Sequence, residues 1–297
     1  MSLPVSRLLA ALVVALVGQT VQAEIVVTDA GGTVVTLAAP ARRIISLAPH
    51  ITELVYAAGA GDRLVGNVEF GQYPPQAKSI PKVGGYERFD LEAILALKPD
   101  LVLGWESGNP QAMIARMRAL GLTVHLSQPD RIEDVAGELE RIGNLAGSEV
   151  VAAAAATAFR ERHALLARRY SQRPPVDVFY QVWKQPLMTV NGKQIISDVI
   201  RLCGGRNVFA RLPVLAPTVS VEGVIAADPE VIIASGMDDA RPEWLDDWKR
   251  WRNMKAVARG NLYFVPPDLI QRHTPRILDG AERLCIHLET ARGKRGK

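Results

Sequence analysis

Leu91-Glu92-Ala93-Ile94-Leu95-Ala96-Leu97-Lys98-Pro99-Asp100-Leu101-Val102-Leu103 returns 130 residues later as Val221-Glu222-Gly223-Val224-Ile225-Ala226-Ala227-Asp228-Pro229-Glu230-Val231-Ile232-Ile233. Each copy reads as a short helix, a proline stop and a strand apolar enough to be buried on both faces. Repetition at about half the chain length predicts two lobes of related build. Glu92 and Glu222 fall at corresponding places, in the first helical turn. A carboxylate there is favoured by the helix dipole alone, and its symmetric placement also suits contact with a partner.

Outward from the first copy, strand and helix patterns alternate. Ile25 to Leu37 reads as a hairpin about Asp29-Ala30-Gly31-Gly32. Arg43 to Leu47 reads as a strand, Thr52 to Ala58 as a helix, Leu64 to Gly66 as a strand, Gln111 to Leu120 as a helix and Val124 to Leu126 as a strand. The order β, α, β, α argues for a parallel sheet covered by helices. From Ile132 to Tyr170 the chain is Ala-, Glu- and Arg-rich without proline, a short helix running into a long one. Alternation resumes after Arg173-Pro174-Pro175, with strands at Val176 to Val182, Val231 to Ala234 and Leu262 to Val265. The expected divisions are an N-terminal lobe over 24–131, a linking helix region over 132–172 and a C-terminal lobe over 173–290.

The ends carry the remaining signals. Met1 to Arg7 has one positive charge, Leu8 to Gly18 is an unbroken run of 11 apolar residues, and Val21-Gln22-Ala23 has the small-x-small pattern of a signal-peptidase site. A signal peptide over 1–23 is therefore expected, and that run is too short to span a bilayer, which takes about 20 residues. No cysteine closes it, so export to the periplasm without a lipid anchor follows. The pI near 9.1 comes mostly from Arg7 and from the acid-free tail 291–297, with Arg292, Lys294, Arg295 and Lys297. Without them the body from Glu24 to Thr290 has a net charge of −1. A glycine-spaced basic tail of that kind is expected to be disordered, and nucleic acid is excluded as a partner.

Cys203 and Cys285 have neither CxxC spacing nor a nearby histidine pattern. In an oxidising compartment one disulfide is the expectation, with two buried thiols as the alternative. Dinucleotide, P-loop, α/β-hydrolase and zincin motifs are absent, so no enzyme is indicated. Of five scattered histidines, His50 and His273 follow strand ends and face a cleft, which leaves metal or haem ligation open. Phe70, Tyr73, Tyr86, Trp105 and Trp183 fall at strand ends or turns, where open α/β sheets bind ligands. Trp244, Trp248 and Trp251 are spaced as one stripe of a helix and read as core.

Ile45-Ser46-Leu47-Ala48-Pro49 with Thr52-Glu53-Leu54, Tyr73-Pro74-Pro75-Gln76, the first repeat copy, Cys203-Gly204-Gly205 and Thr274-Pro275-Arg276-Ile277 together resemble the periplasmic cobalamin-binding proteins of bacterial ABC importers. The likeness is colinear from about Arg43 to about Leu288. The wider group, substrate-binding proteins with a helical backbone, also includes haem and siderophore binders. The resemblance implies an α/β fold of two Rossmann-like lobes joined by one long α-helix, with the ligand cleft between the lobes. It implies that Phe70, Tyr86, Trp105, Trp183, Asp268 and Arg272 contact a corrinoid, that Glu92 and Glu222 dock on the permease, and that Cys203 pairs with Cys285. Cobalamin would be cargo, with no cofactor and no resident metal, in a monomeric, non-enzymatic transport protein. The sequence departs from the pattern at Ala216, where a tryptophan is expected, and at Val182-Trp183, where the aromatic falls one position late. A haem binder of the same fold, with His50, His273 or a tyrosine as axial ligand, is the alternative, followed by a secreted metallohydrolase.

Overall fold

Buried strands of three to six residues, Val- and Ile-rich and bounded by Pro, Gly and Asp, are what a fully covered parallel sheet requires. The computed structural model, which describes residues 24–85, 88–236 and 240–296, has two such sheets. The expected signal peptide lies outside the described residues, as does Tyr86.

The first lobe opens with the antiparallel hairpin of β1 (Ile25–Thr28) and β2 (Val34–Leu37). Its turn is closed by the Asp29 side chain, which accepts from the Thr33 amide at 2.7 Å and pairs with Arg118 at 2.8 Å. There follow β3 (Ile44–Ser46), α1 (Pro49–Ala57), β4 (Leu64–Gly66), α2 (Leu91–Ala96), β5 (Leu101–Trp105), α3 (Gln111–Ala119) and β6 (Val124–Ser127). The parallel sheet runs β4-β3-β5-β6. Helix α1 begins three residues before the expected Thr52, because Pro49 occupies the first turn, where its missing N–H costs no hydrogen bond.

Next come α4 (Asp134–Ala146) and α5 (Glu149–Tyr170). The short helix does not continue into the long one. Gly147 takes a left-handed φ of 63°, reversing the chain, and α4 folds back along α5. A Cβ at Gly143 would overlap that of Ala152, so the glycine permits the close approach, and Glu140 on α4 meets Arg160 on α5 at 2.6 Å.

The second lobe comprises β7 (Val176–Gln181), α6 (Ile195–Leu202), β8 (Gly205–Asn207), α7 (Val221–Ala227), β9 (Val231–Ala234), α8 (Lys255–Ala258), β10 (Leu262–Phe264), α9 (Pro267–Ile270) and α10 (Ile277–Gly293). Its parallel sheet runs β10-β9-β7-β8. Counted within each lobe, both sheets have the strand order 2-1-3-4, and the sequence repeat covers the helix and third strand of each. The correspondence extends to single backbone conformations. Asp90 caps α2 through the Ala93 amide and Ser220 caps α7 through the Gly223 amide, both at 3.0 Å. Lys98 and Asp228, the residues before the two prolines, are left-handed with φ of 46° and 41°.

One apolar core runs through both lobes, from Ile44 and Leu103 across Leu139, Ala156 and Phe159 of the helical hairpin to Tyr180, Val199 and Leu284. Separate clusters cover the outer face of each sheet. The Cys203–Cys285 disulfide joins the end of α6 to α10. Closing a loop of 82 residues is worth about 4 kcal/mol in the chain-entropy account.

Two further expectations are overturned. The segment after Thr290 is no free tail: α10 runs on to Gly293, and Arg292 donates to the carbonyls of Pro174, Cys203 and Gly204 at 2.8, 2.8 and 3.0 Å. Arg295 grips Glu230 bidentately at 2.7 and 2.8 Å. The tryptophan stripe is not on an α-helix either. Glu243–Arg250 is a 3₁₀ helix with three residues per turn. The core reading of the three rings holds: Trp248 is buried, its indole donating to Gln181 at 2.7 Å, Trp244 and Trp251 pack against the same cluster, and all three border a hollow of about 420 Å³.

Candidate functional site

Ligands of open parallel sheets sit beyond the carboxyl ends of the strands, and here the elements leaving those ends in one lobe meet their counterparts from the other. After β3 the chain turns into α1 with the Ser46 and Thr52 hydroxyls 2.6 Å apart. The α1 positions 50 and 53, one turn apart, bring His50 and Glu53 to the seam between the lobes. Strand β5 ends on Trp105, whose amide donates to Asn109 Oδ1 at 2.6 Å, while the Asn109 amide donates to the Leu47 carbonyl at 3.0 Å. Any side chain at Gly108 would collide with the Trp105 indole. The second lobe contributes the stretch after α9, with Arg272, His273 and Arg276.

Three rings close the floor of the seam. His50 and Trp105 from the first lobe and His273 from the second meet edge to face, with centroids 5.1 to 5.8 Å apart. The histidines are 5% and 4% exposed. Burial, with His273 and Arg272 nearby, holds the His50 pKa well below 6.5. Burial lowers His273 to about 4 against the pull of Asp130. Both imidazoles are therefore neutral at pH 7. His50 Nε2, His273 Nδ1 and Trp105 Nε1 make no hydrogen bond among the described residues. Among the described residues no group of three or more His, Cys, Asp and Glu can hold a metal ion.

Beside the rings lies an ionic clasp that the sequence reading did not single out. Glu53 of the first lobe is 4% exposed and accepts from two arginines of the second. Arg272 Nη1 reaches Oε1 at 2.7 Å, Arg276 Nε reaches Oε2 at 2.9 Å and Arg276 Nη2 reaches Oε1 at 2.7 Å. Arg272 also pairs with Asp268 at 2.7 Å, and the Arg276 guanidinium lies 3.7 Å over the Tyr73 ring. The signal available in the sequence was one acid inside the apolar run Ile51-Thr52-Glu53-Leu54-Val55, a charge that a buried helix face carries only when paired.

Of the residues expected to touch ligand, Trp105, Asp268 and Arg272 come together at this seam. Phe70 stands on its edge: its carbonyl accepts from Arg272 Nη2 at 3.4 Å, the residue is 63% exposed, and its φ of 62° is a conformation a bulky residue seldom takes. Such outliers concentrate at ligand clamps. Trp183, 38% exposed, follows β7 in the second lobe. A partly open cavity of about 180 Å³ lies between Trp105 and Asp130 on one side and Gln194, Ala216 and His273 on the other. Ala216 thus leaves open space where a tryptophan was expected. Glu92 and Glu222, in the first turns of α2 and α7, are exposed and form no ion pair among the described residues.

The periplasmic binding protein family model matches residues 44–269. The chain belongs to the periplasmic binding protein family. A vitamin B12-binding protein of Vibrio cholerae is 38% identical over 253 residues, which is 85% of this chain and 91% of that one. The crystal structure of the periplasmic vitamin B12 binding protein BtuF of Vibrio cholerae superposes with a TM-score of 0.79 at 37% identity, over 85% of this chain and 98% of the other. A periplasmic heme-binding protein, RhuT of Roseiflexus, shares the fold with a TM-score of 0.73 at 24% identity, over 84% of this chain and 98% of its own. The two-lobed α/β architecture is thus that of a periplasmic binding protein, and the identity stands well above the fold-level likeness on the vitamin B12 side.

Proposed function

We propose that this periplasmic binding protein captures cobalamin or a related corrinoid and hands it to an ABC importer of the inner membrane, acting as a monomer and catalysing no reaction. The observation that carries the reading is the 38% identity to a vitamin B12-binding protein across 91% of that protein's length. The chemistry of the seam supports it. A corrin is a broad macrocycle with apolar faces and an amide-bearing rim, and the aromatic residues Phe70, Trp105 and Trp183 offer apolar surface to the faces while Asp268 and Arg272 offer polar groups to the rim. Tyr86, expected to join them, falls outside the described residues. Glu92 and Glu222, one on each lobe and both exposed, suit docking on a basic permease surface, where such charges steer encounter.

Calorimetry with cyanocobalamin and with haemin, together with absorption spectra, tests the reading. Saturable heat with cyanocobalamin and no Soret shift with haemin are expected. A Soret shift with haemin and no heat from cyanocobalamin would refute it.

A further inference from the structure

We infer that Glu53 is a positioning residue, the anchor of a clasp that holds the two lobes at their binding separation and so sets how long the ligand stays bound. Among the described residues the ties between the lobes include the ring cluster of His50, Trp105 and His273 and two stronger ones. One is the apolar core that passes through the helical hairpin α4–α5, and the other is the pairing of Glu53 with Arg272 and Arg276. Core contacts are non-directional and tolerate small rotations, whereas three charge-assisted hydrogen bonds on one carboxylate fix both distance and angle. The clasp is also held from outside: Asp268 takes a further donor of Arg272, and the Tyr73 ring backs Arg276.

Parting the lobes at this point breaks all three charge-assisted hydrogen bonds at once and exchanges them for bonds to water, so opening carries a cost that Glu53 sets. A cleft held preformed pays less ordering entropy when it binds, and a ligand leaving it must wait for the clasp to yield. The effect of Glu53 falls on dissociation, while association, set by diffusion and orientation, changes little. Glu53 acts here through the arginines and needs no contact with the ligand.

The kinetic half of this inference rests on the proposed capture of a corrinoid, while the structural half stands on the ligand-free protein. Spin labels at Leu120→Cys and Asn253→Cys, both exposed and one on each lobe, report the interlobe distance with the native disulfide intact. In Glu53→Gln the distance distribution is expected to broaden and lengthen. Cyanocobalamin should dissociate about tenfold faster, with the association rate within about threefold of the parent, and Glu53→Asp should recover part of the loss. Should Glu53→Gln fail to fold, Arg276→Gln carries the same measurements with Glu53 still paired to Arg272. An unchanged distance distribution overturns the clasp, even if thermal stability falls, because that combination marks a merely structural ion pair. If the parent binds no cyanocobalamin the corrinoid reading fails, and the distance measurement still decides the clasp.

Discussion

His50 and His273 belong to different lobes, yet their rings meet edge to face with centroids 5.2 Å apart, and burial keeps both in the neutral form.

Their burial makes the fold acid-sensitive. The His273 pKa is about 4 in the folded protein against 6.5 for an ordinary histidine. As pH falls through 6.5 the unfolded chain takes up a proton that the native state refuses, so stability is complete above pH 6.5 and is lost progressively down to pH 4. The linked loss is about 3 kcal/mol for His273, and His50 adds to it in the same direction. Glu138, held below its usual pKa by His125 and Arg141 against the opposing effect of burial, also loses stability on acidification. Urea midpoints of the parent and of His273→Gln, measured from pH 7.5 to 4, separate the contributions. The variant should show the shallower pH dependence, and parallel curves would mean that His273 titrates normally.

Phe70 is an exposed residue with a strained backbone. Phe70→Gly should hold or raise stability by up to about 1 kcal/mol, since the left-handed conformation is free of penalty only for glycine. It should also weaken cyanocobalamin binding about tenfold through loss of the ring. Scanning fluorimetry and calorimetry read the two effects, and a fall in both would make Phe70 a structural residue.

The carboxyl terminus is a brace. Truncation after Thr290 removes Arg292 with its three carbonyl contacts and Arg295 with its bidentate hold on Glu230. A drop in Tm of roughly 5 °C is expected, most of it reproduced by Arg292→Ala, whose side chain is the more buried of the two. An unchanged Tm would return these residues to the status of a loose tail.

For docking, Glu92→Ala with Glu222→Ala should leave cyanocobalamin affinity within about twofold and abolish most ATP-driven uptake into vesicles carrying the cognate permease. Because both acids are exposed, residual uptake in the single variants should fall further at high salt. Uptake at the parental rate in the double variant would sink the assignment.

Much of this architecture was legible because parallel sheets write themselves as apolar runs between proline and glycine stops, and because the helix-stop-strand unit at Leu91 recurs at Val221. Strand β8 escaped because Gly205-Arg206-Asn207 has no apolar pattern and is an edge strand held by its neighbour β7. The α4–α5 reversal escaped because one left-handed glycine and a Gly–Ala contact, both tertiary matters, decide it. His50 and His273 were picked out as cleft residues, but only coordinates show them facing each other. The clasp was illegible for a simple reason: Glu53 and Arg276 are 223 residues apart, and no local pattern encodes which acid meets which arginine.

The matched caps of α2 and α7 have a further consequence. Asp90 and Ser220 fix the first turns of the two helices that carry Glu92 and Glu222, and buried Ile94 and Val224 pack those helices on their own sheets, so neither acid's backbone moves independently of its sheet. The spacing between the two carboxylates is therefore a gauge of the angle between the lobes. A partner with two rigidly placed cationic sockets would distinguish a closed molecule from a splayed one by that span alone, without ever touching the cargo.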